Sequence, residues 1–249
     1  MKLVEVRTLL SERIGSVVAW GRRHPAQSIV YAVCLFFASE YLSLPNNSLQ
    51  KLETFNPQRT ALMEQREEEL AKAGKPVHVQ QTWVPLKRIS PNVAHAVIVS
   101  EDGTFYDNGG VDWYEVEESI EKNLKEGRAA RGGSTISQQL AKNLFLSTSK
   151  DPLRKLKELI ITLRMERILS KERILEIYLN IVEWGNGVYG VEAAARKYFG
   201  KSASELSREE AARLAAVIPS PLRHRPDQPS AYVEKRASLI LERMAARGY

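Results

Sequence analysis

DPLRKLKELIITLRMERIL, residues 151–169, is the stretch whose reading decides the fold class. Pro152 suits the first turn of a helix, where its missing N–H removes no intrahelical bond, and nothing after it breaks the helix before about Leu169. Leu153, Leu156, Ile160 and Leu163 recur at i, i+3, i+7 and i+10, which predicts a buried stripe. Arg154 and Glu158 share a face at i, i+4, and Lys155 adjoins Glu158 at i, i+3. A carboxylate among cations on one helix surface has two readings. It is an ordinary solvated face of ion pairs, or it is a patch that binds a diphosphate and stabilises it as a leaving group.

Working outward, the segments on both sides are also helical. Downstream, Ser170 is placed to cap a helix over Lys171–Asn180, Ser207 and Glu210 form a capping box, Pro219 and Pro221 stop that helix, and a last one spans about Ala231 to Arg247. Upstream, a helix over Ser134–Leu146 begins after paired glycines, and another over Asp112–Lys125 ends at Gly127. Val93–Ser100 is a strand or a buried helix. The class is therefore mainly α.

Two further segments carry chemistry. Glu101-Asp102 closes the apolar run Val93–Ser100, and a carboxylate at the end of a buried element is partly desolvated, which suits a general base. RGGSTISQQLAK, residues 131–142, joins glycines that let backbone approach a ligand to hydroxyls at a helix start that can hold phosphate oxygens. Its adjacent Gln138 and Gln139 suit sugar hydroxyls. It lacks GxxxxGK[ST], which disfavours nucleotide binding.

The N-terminal part differs. AQSIVYAVCLFFAS, residues 26–39, is uncharged, and Tyr41–Leu44 extend it beyond Glu40. That span approaches the roughly 17–20 residues a membrane crossing needs. Arg22 and Arg23 before it predict a cytoplasmic N-terminus and an external remainder; a cleaved signal peptide or a buried soluble helix are the alternatives. The expected organisation is a cytoplasmic segment (1–25), an anchor (26–44), a polar connector (45–80) whose Arg59–Lys72 helix has no apolar stripe, and a packed domain (81–249). The net charge of +6 suits phosphate-bearing partners or an anionic membrane. One cysteine excludes internal disulfides, and four scattered histidines with no Cys/His cluster argue against zinc. No recognised nucleic-acid module appears.

Taken together, the motifs resemble those of peptidoglycan glycosyltransferases, glycosyltransferase family 51, most closely the monofunctional biosynthetic kind. The resemblance runs from about Asn56 to the C-terminus. ED-x-x-F-x-x-H-x-G is met at Glu101–Gly110 with Asn108 for the histidine. G-x-ST-I-x-QQ is Gly132–Gln139, followed by Lys142. RK-x-KE is Arg154–Glu158, K-x-x-IL-x-x-YLN is Lys171–Asn180, and R-x-x-x-VL-x-x-M is Arg236–Met244 with Ile240 for Val. Lys150 stands where an arginine is common. Asparagine at position 108 keeps hydrogen bonding but carries no charge.

The resemblance implies a lysozyme-like, two-lobed helical domain behind a transmembrane helix. It implies that lipid II is added to a lipid-linked glycan chain on the periplasmic side of the bacterial inner membrane. Glu101 and Glu158 are then the catalytic carboxylates, Glu101 as base and Glu158 orienting cations. Asp102, Phe105, Ser134, Thr135, Gln138, Gln139, Lys142, Lys150, Arg154 and Lys157 are the substrate-binding set. No resident metal or other cofactor is required; a divalent cation, Mg or Mn, is an optional companion. Other wall-synthesis proteins are candidate partners. Ser119-x-x-Lys122 and Ser147-x-x-Lys150 match S-x-x-K, but no KTG follows, so transpeptidation is not expected of these residues. A glycan-cleaving enzyme of the same fold and a catalytically silent scaffold, the latter favoured by Asn108, remain the alternatives.

Overall fold

The structure, a computed structural model, describes residues 19–20, 22–126, 133–149, 151–228 and 230–249. The chain divides after Leu44 into two compact units. The first contains α1 (Pro25–Leu42), with Pro25 at its first position and no buried residue. Its eighteen residues rise about 27 Å, close to the roughly 30 Å of bilayer hydrocarbon. The hydroxyls of Ser28 and Ser39 return to carbonyls one turn back, at 3.0 and 2.8 Å. These two hydroxyls are thus satisfied within the helix, as lipid requires. By length and composition α1 qualifies as a membrane anchor or a signal sequence.

The second unit is mainly helical. In chain order it holds α2 (Asn46–Lys51), α3 (Ala61–Lys72), α4 (Pro91–Glu101), α5 (Trp113–Glu126), α6 (Ile136–Phe145), α7 (Pro152–Ile168), α8 (Lys171–Ile181), α9 (Val191–Phe199), α10 (Arg208–Val217) and α11 (Ala231–Ala246). Three short strands, β1 (Gln80–Gln81), β2 (Glu183–Gly185) and β3 (Val188–Tyr189), form one sheet in the order β1-β3-β2, with β1 parallel and β2 antiparallel to β3.

α8 lies at the centre. Ile174, Leu175, Ile177, Tyr178, Leu179 and Ile181 are all buried, so the helix is enclosed on nearly every side. Asn180 ends it as a tether: its amide donates to Val84 O at 2.9 Å, and its Oδ1 accepts from Val84 N at 2.8 Å. Gly190 closes over the same place at φ +78°, where a Cβ would lie 2.5 Å from Asn180 O, so only glycine fits. α4 packs on α10 and α11, and α6 packs on α7 and α8.

Capping at Ser170 and the Ser207–Glu210 box are formed as expected. Val93–Ser100 is helix. Gly127 lies outside the described residues. Two expectations are corrected. Residues 45–80 are not a free connector: Leu49, Leu52, Leu62 and Met63 are buried within the second unit, Leu62 and Met63 against Tyr189. In α7 the buried face is Glu158, Ile161, Thr162 and Met165, whereas Leu156 and Leu163 are 42% and 36% exposed. α7 carries leucine or isoleucine on almost every side, so apolar spacing cannot select a face. A polar bond between helices adds an inward bias: Ser137 Oγ of α6 donates to Glu166.

Candidate active site

Glu101 is the last residue of α4, at a cleft of 620 Å³ lined also by Ser134, Thr104, Glu115, Arg243 and Arg247. Its side chain is only 10% exposed and is held on both oxygens. Gln139 Nε2 donates to Oε2 at 3.0 Å; Ser100 Oγ donates to Oε1 at 3.1 Å, and Arg236 Nη2 lies 3.8 Å from Oε1. The Gln139 amide is in turn fixed by Tyr178, whose hydroxyl donates to Gln139 Oε1 at 2.9 Å. Burial, followed by the charges of Glu101 and Asp102, raises the Tyr178 pKa far above its usual value, so the phenol stays a donor. Arg236 also donates to Ser100 Oγ at 3.3 Å, tying α11 to the end of α4.

Asp102, the next residue, is also buried. Burial raises its pKa from 3.8 to about 6, against hydrogen bonds from Ile136 N and Asn108 and the charge of Lys171. Ile136 N donates to Oδ2 at 3.0 Å and Asn108 Nδ2 donates to Oδ1 at 2.8 Å, so Asp102 joins the first motif to the start of α6. Asn108 Oδ1 accepts from Gly110 N at 2.9 Å and from Lys171 Nζ at 3.4 Å, and Lys171 continues to Glu166 at 2.8 Å. Here asparagine works as a neutral hub with all its bonding capacity in use. Gly110, at φ +90°, leaves no room for a Cβ beside Glu166 and Thr162.

Glu158 is 2% exposed and doubly paired. Arg154 Nη1 donates to Oε2 at 2.6 Å and Lys155 Nζ donates to Oε1. Arg154 Nε also donates to Ser149 O at 2.5 Å, which orients the guanidinium. Lys155 reaches Ser134 Oγ at 3.4 Å, linking α7 to the hydroxyl at the cleft. Lys142 lies on α6 and is largely buried. Burial lowers its pKa, as do the charges of Arg154 and Lys155, while Glu158 and Glu101 both pull it back up. The cation cluster meets the cleft of Glu101 through Lys155 and Ser134.

The sequence-predicted residues thus separate. Glu101, Ser134, Lys142, Arg154 and Glu158 come together. Gln139 positions Glu101 instead of facing only sugar. Thr135 and Gln138 are the two halves of the α6 capping box, buried and mutually bonded. Thr135 also donates to Gly110 O at 2.7 Å. Phe105 is fully buried, beneath Lys171 Nζ at 4.7 Å from the ring centre, and has no surface to offer a substrate. Asp102 is likewise a structural tie. Lys157 and Arg154 line a separate hollow of 230 Å³. Lys150, Arg131 and Gly132 lie outside the described residues.

Sequence reasoning omitted Lys155 from the binding set, though its i, i+3 spacing to Glu158 was visible. It gave no role to Tyr178 or Arg236, nor to Arg243 and Arg247, whose Nη1 atoms donate to Val99 O at 3.4 Å and Gly103 O at 2.6 Å. Their only signal was membership in, or nearness to, the fourth and fifth motifs. Each Glu158 oxygen accepts from one cation, and among the described residues no group of three His, Cys, Asp or Glu side chains converges.

Residues 66–245 match the family model described as Transglycosylase. The chain belongs to the transglycosylase family. The second unit accordingly has the mainly helical, lysozyme-like fold of such transglycosylases. The chain is similar to proteins called biosynthetic peptidoglycan transglycosylase from several bacteria. The one from Aromatoleum aromaticum is 54% identical over 170 residues, 68% of this chain and 74% of that protein. The one from Nitrosospira multiformis is 50% identical over 192 residues, 77% of this chain and 84% of that protein. The one from Nitrosomonas eutropha is 41% identical over 244 residues, 98% of each. That last alignment carries this transglycosylase's likeness through the α1 region as well.

Proposed function

We propose that this transglycosylase polymerises lipid II into β-1,4-linked glycan strands for the bacterial cell wall, releasing undecaprenyl diphosphate. Glu101 takes the proton from the 4-hydroxyl of the acceptor GlcNAc. That oxygen attacks the anomeric carbon of the donor MurNAc from the face opposite the diphosphate, and the carbon–oxygen bond to the diphosphate breaks, inverting the centre. Lys142, Arg154 and Lys155 neutralise the departing charge, with Lys150 as a further cation, and Glu158 holds Arg154 and Lys155 in place. A divalent ion, Mg or Mn, would enter with the diphosphate. α1 anchors the enzyme in the inner membrane beside its lipid-borne substrate, with the catalytic unit on the periplasmic side.

The observation that supports this reading is the Lys155 ammonium, which pairs with Glu158 beside Arg154 and reaches Ser134 Oγ at 3.4 Å, on the wall of the cleft that Glu101 also lines. A hydrolase of finished glycan has no comparable need for a cation cluster that receives a diphosphate. The test is incubation of the full chain with labelled lipid II, resolved on a gel. A ladder of lengthening strands is expected. Shortening of preformed glycan without use of lipid II would overturn the proposal in favour of cleavage, and inertness towards both would favour a scaffold.

A further inference from the structure

The loop between α6 and α7 carries a contact to which the proposed reaction gives no part. Residues 147–149 are exposed, and among the described residues only two side chains tie them by hydrogen bonds to other elements. One is Arg154, whose Nε donates to Ser149 O at 2.5 Å. The other is Gln65 of α3, 83 residues from Thr148 along the chain. Its Nε2 donates to Thr148 Oγ1 at 2.6 Å, and its Oε1 accepts from Thr148 N at 2.9 Å. The remaining bond, between Ser147 Oγ and Ser149 Oγ, stays within the loop.

The Gln65 amide is itself fixed. Its Nε2 also donates to Glu69 Oε1 at 2.6 Å, so the nitrogen must face that carboxylate and the oxygen must face the Thr148 N–H. Glu69 accepts from Arg66 Nη1 at 2.8 Å, and Arg66 reaches Glu183, buried on β2, through Nε and Nη2 at 3.3 Å. A chain of polar groups thus runs from the sheet to the loop. On the other side of the loop, Arg154 uses Nε on Ser149 O and Nη1 on Glu158. Two bonds in different directions fix the plane of a guanidinium, and Nη2 carries no bond among the described residues.

We propose that Gln65 is a positioning residue for the transfer: by clamping Thr148 it fixes the Ser149 carbonyl, which aims Arg154 Nη2 at the departing diphosphate. The inference rests on the lipid II reading above and adds to it a residue that lies in none of the five motifs. A cation aimed before the charge develops stabilises the transition state without reorganising, whereas a loose one must be ordered at each turnover. Hydrogen bonds at an exposed loop contribute little to folding, so the clamp shows in rate more than in stability.

The test is a double-mutant cycle on the full chain with lipid II. Gln65→Leu is expected to lower kcat about fivefold, with KM changed less than about twofold and the thermal midpoint held. Arg154→Lys keeps the charge but has no Nε–H for Ser149 O. In that background Gln65→Leu is expected to cost less than about 1.5-fold. Gln65→Glu combined with Glu69→Gln, which keeps an acceptor for Thr148 N and a bond between the two side chains, is expected to restore most of the rate. The same loss in both backgrounds, no loss in either, or a loss matched by a lowered thermal midpoint overturns the assignment. If the wild-type chain extends no lipid II, the polymerase reading itself fails, a result distinct from these. Calorimetry with inorganic diphosphate runs the same cycle without turnover: Gln65→Leu should weaken binding about threefold with Arg154 present and not with Arg154→Lys, and absence of that coupling overturns the clamp.

Discussion

Glu101 and Glu158 are the same residue type on two different helices, and their surroundings divide the chemistry between them. Glu101 sits at a cleft, held by an amide and a hydroxyl, with its nearest cation at the long distance of 3.8 Å. It is positioned without being neutralised, as a base must be. Glu158 is shut away from solvent with a cation on each oxygen. It cannot accept a substrate proton without giving up a partner, but it can fix where two positive side chains point. Chemistry here follows from what each carboxylate is bonded to.

Removing the basic oxygen should show the largest effect. Glu101→Gln is expected to lower polymerisation about a thousandfold, measured as initial rate on lipid II, with substrate binding retained. Residual activity within tenfold of wild type would mean that Glu101 is not the base and the contrast with Glu158 is void.

Glu158→Gln attacks the other side. It leaves Arg154 and Lys155 partly uncompensated and removes the larger of the two attractions that keep Lys142 protonated. We expect kcat to fall about a hundredfold and the alkaline limb of the rate profile to move to lower pH, because Lys142 then loses its proton more readily. An unmoved alkaline limb would separate Lys142 from Glu158.

Asp102 sharpens the comparison, being buried among amides and at a distance from its cation. Its carboxyl is raised from 3.8 to about 6, so the folded chain binds more protons than the unfolded one between those values. Stability should therefore fall as pH rises through that window, by at most about 3 kcal/mol. Denaturant unfolding from pH 4 to 7 should show this slope in the wild type and lose it in Asp102→Asn; identical slopes would assign it elsewhere.

The smallest effect belongs to Tyr178→Phe. Without the phenol hydrogen the Gln139 amide can turn its oxygen towards Glu101. A roughly tenfold loss in kcat with KM unchanged is expected. A matching loss of thermal stability with no kinetic change would leave Tyr178 a packing residue.

Helix starts and stops were legible because they are local. Ser170, Ser207 and Pro152 act on backbone groups within a few residues, and the structure uses them as read. The cation cluster was legible for the same reason, since i, i+3 and i, i+4 spacing on one helix fixes contact without a tertiary partner. The α7 stripe was misread because Leu156 and Leu163 obey the same spacing rule as Ile161 and Met165. Phe105, Thr135 and Gln138 are buried and held within the fold, which spacing did not show, because a motif reports that a residue is needed and is silent on whether it touches ligand or holds the loop.

Sequence alone settled the helical class, the positions of the caps, the apolar N-terminal helix and the two carboxylate-bearing motifs, since each depends on neighbours along the chain. Tertiary structure decided which face of α7 turns inward, that residues 45–80 belong to the second unit, and that Gln139 and Tyr178 hold Glu101 in place. Those outcomes depend on contacts between segments tens of residues apart, such as Gln139 with Glu101, and local spacing carries no information about distance across the fold.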